Sequence, residues 1–289
     1  VFSCFTGHVD SDKLDRSPFK FQHQLLGHPA LSLENLARVI PALPEDRVMY
    51  SRGLLAEGAD FEGTYRHRPV DRTLEQTIEN IRTSDSYIMV RSPECDPTFA
   101  ELHRQLLGDV EQIMKVRGVG SKTFGAQLYL FIASPNSITP FHIDRNSTFL
   151  LQFRGSKVVS VFPQWDVRVI SDEDREAYVA HAKTRLAWDA GKDELATRFD
   201  FKPGDGLHIP FAAGHHVRNG SEDVSISMSI IFNTREGSAW CRALNLNHRM
   251  RPAMRRFGAA PTPVGTSAWR DRSKARLWSL VGRMSANRG

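Results

Sequence analysis

Apolar residues recur along this chain at two different periods, and the change between them divides it. Up to about residue 120 the spacing is close to 3.6. Ser32 precedes Leu33, Leu36, Val39 and Ile40, which predicts a helix with Ser32 as its cap. The stretch from Asp71 to Ile81 (Asp71, Arg72, Thr73 and onward) places Leu74, Ile78 and Ile81 on one helical face. Asp96-Pro97-Thr98 opens a third helix, with Pro97 near its first turn, that runs through Leu102, Leu106, Leu107 and Val110. Residues 1–120 are therefore expected to form a helical region packed on a β-rich core.

From about Lys122 the texture becomes that of short strands. Gln127–Ile132, Phe149–Phe153, Lys157–Phe162, Asp205–Pro210 and Val224–Phe232 each read as one, and Arg154-Gly155-Ser156 reads as a hairpin turn. Short strands joined by tight glycine-containing turns point to a sandwich or barrel. The expected fold is mainly β with flanking helices: a double-stranded β-helix (jelly-roll) core over 121–240, and a helical C-terminal region over 241–289. A polar segment, about 166–201, interrupts the core. Its helical start at Asp172–Ala182 makes it a lid or specificity element, or a long surface connection. After Trp240 the chain is expected to be helical again, broken at Pro252, Pro261 and Pro263.

Composition narrows the class. The 289 residues are 40% hydrophobic and 25% charged, as in an ordinary globular protein. No run of about 18 apolar residues occurs, so no membrane-spanning helix and no membrane partner is expected. Val1-Phe2-Ser3-Cys4-Phe5 lacks the basic start and apolar centre of a secretory signal. Cys4, Cys95 and Cys241 are widely spaced, which argues against a disulfide framework and a structural zinc site, and makes a reducing cytoplasm the default location. The net charge of +5 is concentrated beyond Arg249, in a tail that includes Arg270, Arg272, Arg276, Arg283 and Arg288. Such a tail can meet nucleic acid or another acidic partner, but no zinc finger, helix-turn-helix or RNP-like pattern supports that, and a solvated helical face explains it too. Trp269, Leu277, Trp278, Leu280 and Val281 could instead pair two subunits into a homodimer.

The chemistry lies in Thr139-Pro140-Phe141-His142-Ile143-Asp144. His142 and Asp144 are two residues apart, so on a strand or at its end both project to one side. A third ligand must come from elsewhere, and His215 follows the turn at Phe211-Ala212-Ala213-Gly214 just ahead of a strong strand. Two histidines and one carboxylate on one face of a metal are the signature of non-haem Fe(II) oxygenases, which keep positions open for a chelating co-substrate and O₂. A lone HxD is common, and the context adds the weight: a proline turn before it, Lys157 on a following strand, and Gly204-Asp205-Gly206 leading to Ile209-Pro210 and His215. These features suit a double-stranded β-helix with a metal at its mouth. His215 and His216 compete for the third position. Neighbours on an extended segment point oppositely, so only one can bind. His208, earlier on its strand, reads as structural.

Three stretches together resemble a family: Asn136–Asp144; Gln152–Lys157 with Val161-Phe162-Pro163; and Pro203–Pro210 followed by Gly214-His215-His216-Val217. They are similar to the JmjC-type, cupin-like (cupin-8) Fe(II)/2-oxoglutarate-dependent oxygenases, close in pattern to the asparaginyl hydroxylase that modifies hypoxia-inducible factor. The resemblance covers about Leu128 to Phe232. It implies His142, Asp144 and His215 as iron ligands, with His215 rather than His216 as the third. It implies Lys157 as the ion-pair partner of the distal 2-oxoglutarate carboxylate, with Thr139 donating a hydroxyl to the same group. Tyr129 and Phe131 are candidates for lining the co-substrate pocket, and equally for being core aromatics. The chain departs from the asparaginyl hydroxylase at Ser229 and Thr148, where that enzyme has Asn, and at Ala213-Gly214, where it has an aromatic pair. These departures bear on the substrate, an unidentified protein or small molecule.

The expected activity is hydroxylation of a C–H bond, with demethylation second. A non-catalytic cupin-like regulator that binds a small molecule or nucleic acid is the alternative from another class. Lys157 and the aspartate argue against a third reading, a cupin isomerase or dioxygenase that works without 2-oxoglutarate.

Overall fold

The computed structural model describes residues 2–64, 71 and 73–286, with side chains to residue 280. Val1, Arg72 and Arg288, and the side chains of Val281 and Arg283, lie outside the described residues. The N-terminal part holds β1 (Phe5–Thr6), β2 (Phe19–His23), α1 (Leu33–Ala42), β3 (Val48–Ser51), α2 (Phe61–Thr64), α3 (Leu74–Glu79), β4 (Tyr87–Arg91) and α4 (Pro97–Arg117). The three expected helices are present, each with the cap its sequence offers. The Ser32 hydroxyl accepts the Asn35 N–H at 3.1 Å, and the Asp96 carboxylate accepts the Thr98 N–H at 2.9 Å. Thr73 and Gln76 form a reciprocal capping box, so α3 starts later than Asp71 and is short. Four strands accompany these helices, which apolar spacing did not single out.

The rest of the fold is β5 (Phe124–Ala133), β6 (Ile138–Ile143), β7 (Ser147–Arg154), β8 (Lys157–Val161), α5 (Asp172–Val179), β9 (Thr197–Phe201), β10 (Asp205–Ile209), β11 (Gly214–Asn219) and β12 (Ser225–Asn233), then α6 (Arg235–Arg255) and α7 (Ala268–Ala286). The strands make two sheets. The larger has the order β1-β2-β10-β7-β12-β5-β4-β3 and the smaller β6-β11-β8-β9. From β5 to β12 the chain alternates between the sheets, except that β8 and β9 pair within the smaller one, in the manner of a double-stranded β-helix, the jelly-roll core expected. The four N-terminal strands extend the larger sheet at both edges. Leu150, Val159, Val161, Leu207, Ile209 and Val217 fill the space between the two sheets.

Three expectations need correction. Arg154-Gly155-Ser156 is not a hairpin turn, because β7 pairs with β10 and β12 while β8 pairs with β11 and β9. The turn is a corner that hands the chain from one sheet to the other. Gly155 is required there: its φ is +67°, and a Cβ would stand 2.5 Å from the Val224 carbonyl oxygen. The polar segment ends before residue 201, since Thr197–Phe201 is an edge strand of the smaller sheet. One face of β9 is exposed, so its polar residues read as loop. Pro252 does not break the helix. It lies in the last turn of α6, where it forfeits one hydrogen bond of the ladder and little helix remains beyond it to be broken, while Pro261 and Pro263 do fall in the α6–α7 link.

Buried carboxylates tie the N-terminal segment to the core. Asp109, on α4 and 3% exposed, accepts the backbone N–H groups of Ser3, Cys4 and Phe5 at 2.7, 2.6 and 3.1 Å. Asp109→Ala leaves those donors unpaired and is expected to cost about 2–4 kcal/mol. Urea denaturation checks this, and a loss below about 0.5 kcal/mol, the scale of an ordinary surface change, would show that β1 does not depend on the carboxylate.

Candidate metal and anion site

β6 and β11 pair antiparallel with His142 directly opposite His215, and Asp144 follows one residue after β6 ends. Both histidines are 5% exposed. Asp144 Oδ1 lies 3.9 Å from His142 Nε2, and Asp144 Oδ2 lies 3.9 Å from His215 Nε2. One ligand atom from each residue can be chosen so that all three lie within 4.8 Å of one another.

The nitrogens are oriented by the backbone. His142 Nδ1 is 2.7 Å from the Pro140 carbonyl oxygen, and His215 Nδ1 is 3.0 Å from that of Ala213. A carbonyl only accepts, so each Nδ1 carries the proton and each Nε2 lone pair faces Asp144. The Thr148 hydroxyl donates to Asp144 Oδ2 at 2.8 Å. Burial, and then the neighbouring His215, hold His142 well below the usual imidazole pKa. A neutral imidazole is the form that binds a metal. Phe61 of α2 stacks on the His142 ring with centroids 4.0 Å apart.

Lys157, at the start of β8, is 7% exposed, and its Nζ donates to Ser227 Oγ at 2.9 Å. Among the described residues it has no carboxylate partner, and burial pushes it down to about 7. Lys157, His142, Asp144 and His215 line one cavity of about 670 Å³, as do Thr139 and Tyr129. Phe131 also faces this cavity, beside Tyr129, and both rings pack against the Tyr87 and Met89 cluster as well.

His216 points the other way. Its Nε2 meets Asp193 Oδ1 at 2.9 Å and its ring packs against Phe162 and Trp188. His208 is fully buried between Phe19 and Phe149, accepts the Asp15 N–H and faces the Thr148 carbonyl, as a structural histidine does.

Several lining groups carry no motif in the sequence. Ser227 is one. The others close the mouth: α2 supplies Phe61 and Glu62, α5 supplies Tyr178, and Arg145 joins them. The Arg145 guanidinium bonds Glu62 and the Tyr178 carbonyl and lies 4.5 Å over the Tyr178 ring. Asn146, Asn233 and Asn245 complete a polar rim. The only hint was that the segment carrying α5 interrupts the strands.

No family model and no curated protein matches the chain. Among solved structures it is similar to ycfD of Escherichia coli, at 14% identity and a TM-score of 0.51, over 96% of this chain and 68% of that one. Another structure, of the ribosomal oxygenase YcfD from Escherichia coli with cobalt and 2-oxoglutarate, matches at 13% identity and a TM-score of 0.47, over 92% of this chain and 63% of that one. The chain thus spans about two thirds of the length of these neighbours. The likeness is one of fold alone, and it does not single out the asparaginyl hydroxylase.

Lys157 makes the ligand-free protein less stable than it could be. Its pKa is about 7 when folded and near the ordinary 10.5 when unfolded. The penalty is fully present below pH about 7 and is relieved as pH rises toward 10.5, where the unfolded chain holds the extra proton. Lys157→Met is therefore expected to stabilise the metal-free and ligand-free protein at neutral pH by about 1–4 kcal/mol. Thermal unfolding of both proteins tests this, and a variant less stable than the parent would mean that the Ser227 bond outweighs the burial cost.

Proposed function

We propose that the chain is an Fe(II)- and 2-oxoglutarate-dependent oxygenase that hydroxylates a C–H bond of a protein side chain or a small molecule. One observation carries this reading: a two-histidine, one-carboxylate face and a buried lysine with no acidic partner among the described residues open on the same cavity. The donor set fits Fe(II), since both imidazoles offer Nε2 and the carboxylate lies between them. His142, Asp144 and His215 would hold the metal. When bound, the iron and 2-oxoglutarate together activate O₂ and supply the oxidising power, with succinate and CO₂ as by-products.

The protein's own part is positioning. The Pro140 and Ala213 carbonyls fix the tautomers, and Thr148 fixes the plane of Asp144. Lys157 and Thr139 of the smaller sheet, with Ser227 of the larger, would receive the far carboxylate of the diacid, and Tyr129 lines the same cavity. The buried ammonium gains the anion it lacks among the described residues, which favours a dicarboxylate over a neutral ligand. Arg145, Glu62 and Tyr178 tie α2 to α5 over the mouth and limit water. A regulator without catalysis would gain nothing from two imidazoles held with Nε2 toward a carboxylate.

Anaerobic titration with Fe(II) and 2-oxoglutarate is expected to give a weak visible charge-transfer band, and admission of air to give succinate. His142→Ala should abolish the band and lower succinate formation by more than the roughly 10–100-fold typical of groups behind a ligand. Absence of both signals in the parent protein would refute the reading.

A further inference from the structure

The C-terminal helices carry a second site that the oxygenase reading does not use. Arg235, Arg242, Arg249 and Arg256 recur at seven-residue intervals along and just past α6, and all four are exposed. Seven residues are nearly two helical turns, so the four form one stripe. Unlike Arg251 and Arg255, which pair with Glu176 and Glu173, none of the four has an acidic partner among the described residues. Arg272 and Arg276 of α7 face the same way as Arg242 across a groove of about 470 Å³, floored by Ala239 and Ala275. Trp269 and Leu280, 65% and 55% exposed, continue the Arg272–Arg276 strip at helical spacing.

The geometry points to a binding site for the phosphate backbone of single-stranded nucleic acid in the α6–α7 groove. Three guanidiniums from two helices converge on a slot whose small floor residues leave room for a chain. Arginine rather than lysine supplies nearly all the charge of this region, and its planar fork suits phosphate oxygens. Trp269 adds an exposed ring on which a base can stack, as in other single-strand sites. Arginines at regular seven-residue intervals match a regularly repeating anion better than a peptide with scattered acids. Pairing two copies across this groove would bring like charges together, which is unfavourable.

Fluorescence anisotropy of the intact protein with a labelled oligouridylate tests the proposal. Binding is expected to weaken as salt rises, with a log–log slope of about −2 if three arginines each neutralise one phosphate. The triple variant Arg242→Gln/Arg272→Gln/Arg276→Gln should lose about tenfold or more in affinity and flatten the slope. Trp269→Ala should weaken binding without changing the slope, because stacking carries no counterion. All four residues are exposed, and circular dichroism confirms that the variants fold. No binding at about 50 mM salt, or binding that the triple variant leaves unchanged, overturns the proposal. It is equally overturned if polyglutamate or anionic phosphatidylglycerol vesicles bind in place of the oligonucleotide. Light scattering that shows a dimer lost in the triple variant would reassign the groove to a second copy of the chain.

Discussion

Asp144 stands 3.9 Å from Nε2 of both His142 and His215, too far for a hydrogen bond to either and too close for independence. That arrangement exists because β6 and β11 pair with the two histidines in direct register, while Asp144 sits two residues beyond His142 on the same side. A slip of one residue in either strand would turn a histidine to the opposite face. Within β11 the difference between His215 and His216 makes the point: one faces the carboxylate, and the other packs against Trp188 with Asp193 on its ring nitrogen. The strand pairing therefore chooses which histidines face the carboxylate, and the carbonyls of Pro140 and Ala213 choose the tautomers.

The same two-sheet frame creates the opposite electrostatic condition a short way along the cavity. Lys157 enters from the smaller sheet and reaches Ser227 on the larger one, through walls formed by Leu150, Ile209 and Val217. A charged ammonium in such surroundings is costly without an anion, and the depressed pKa is the sign of that cost. A three-ligand face that favours a cation and a lysine that favours an anion share one cavity. A metal chelated by a dicarboxylate meets both conditions at once, and a bare metal or a neutral ligand meets only one.

The histidine–carboxylate face was legible in the sequence because His142 and Asp144 lie in one short motif, and because Lys157 and His215 stand at strand starts marked by turns. The jelly-roll core was legible for a related reason, since its strands are apolar runs between glycine turns. Other parts were hidden by their physics. The corner at Gly155 looks like a hairpin, because local sequence cannot tell which sheet the next strand joins. β9 is half exposed and reads as loop. Ser227 is one of three serines alternating along β12, and only the reach of Lys157 distinguishes it. Arg145, Glu62 and Tyr178 come from separate segments and meet only through the packing of α2 and α5, which no spacing reveals.

The central claim is that Lys157 takes up charge when the diacid binds. Isothermal titration calorimetry of 2-oxoglutarate into the anaerobic Fe(II)-loaded protein, in buffers of different ionisation enthalpy, measures that charge as protons. The lysine titrates at about 7 in the ligand-free protein, so binding above that pH should draw in close to one proton, and uptake should fade below it. Lys157→Met should abolish the uptake. Tight binding of 2-oxoglutarate by the parent protein with no proton uptake at any pH would contradict the claim.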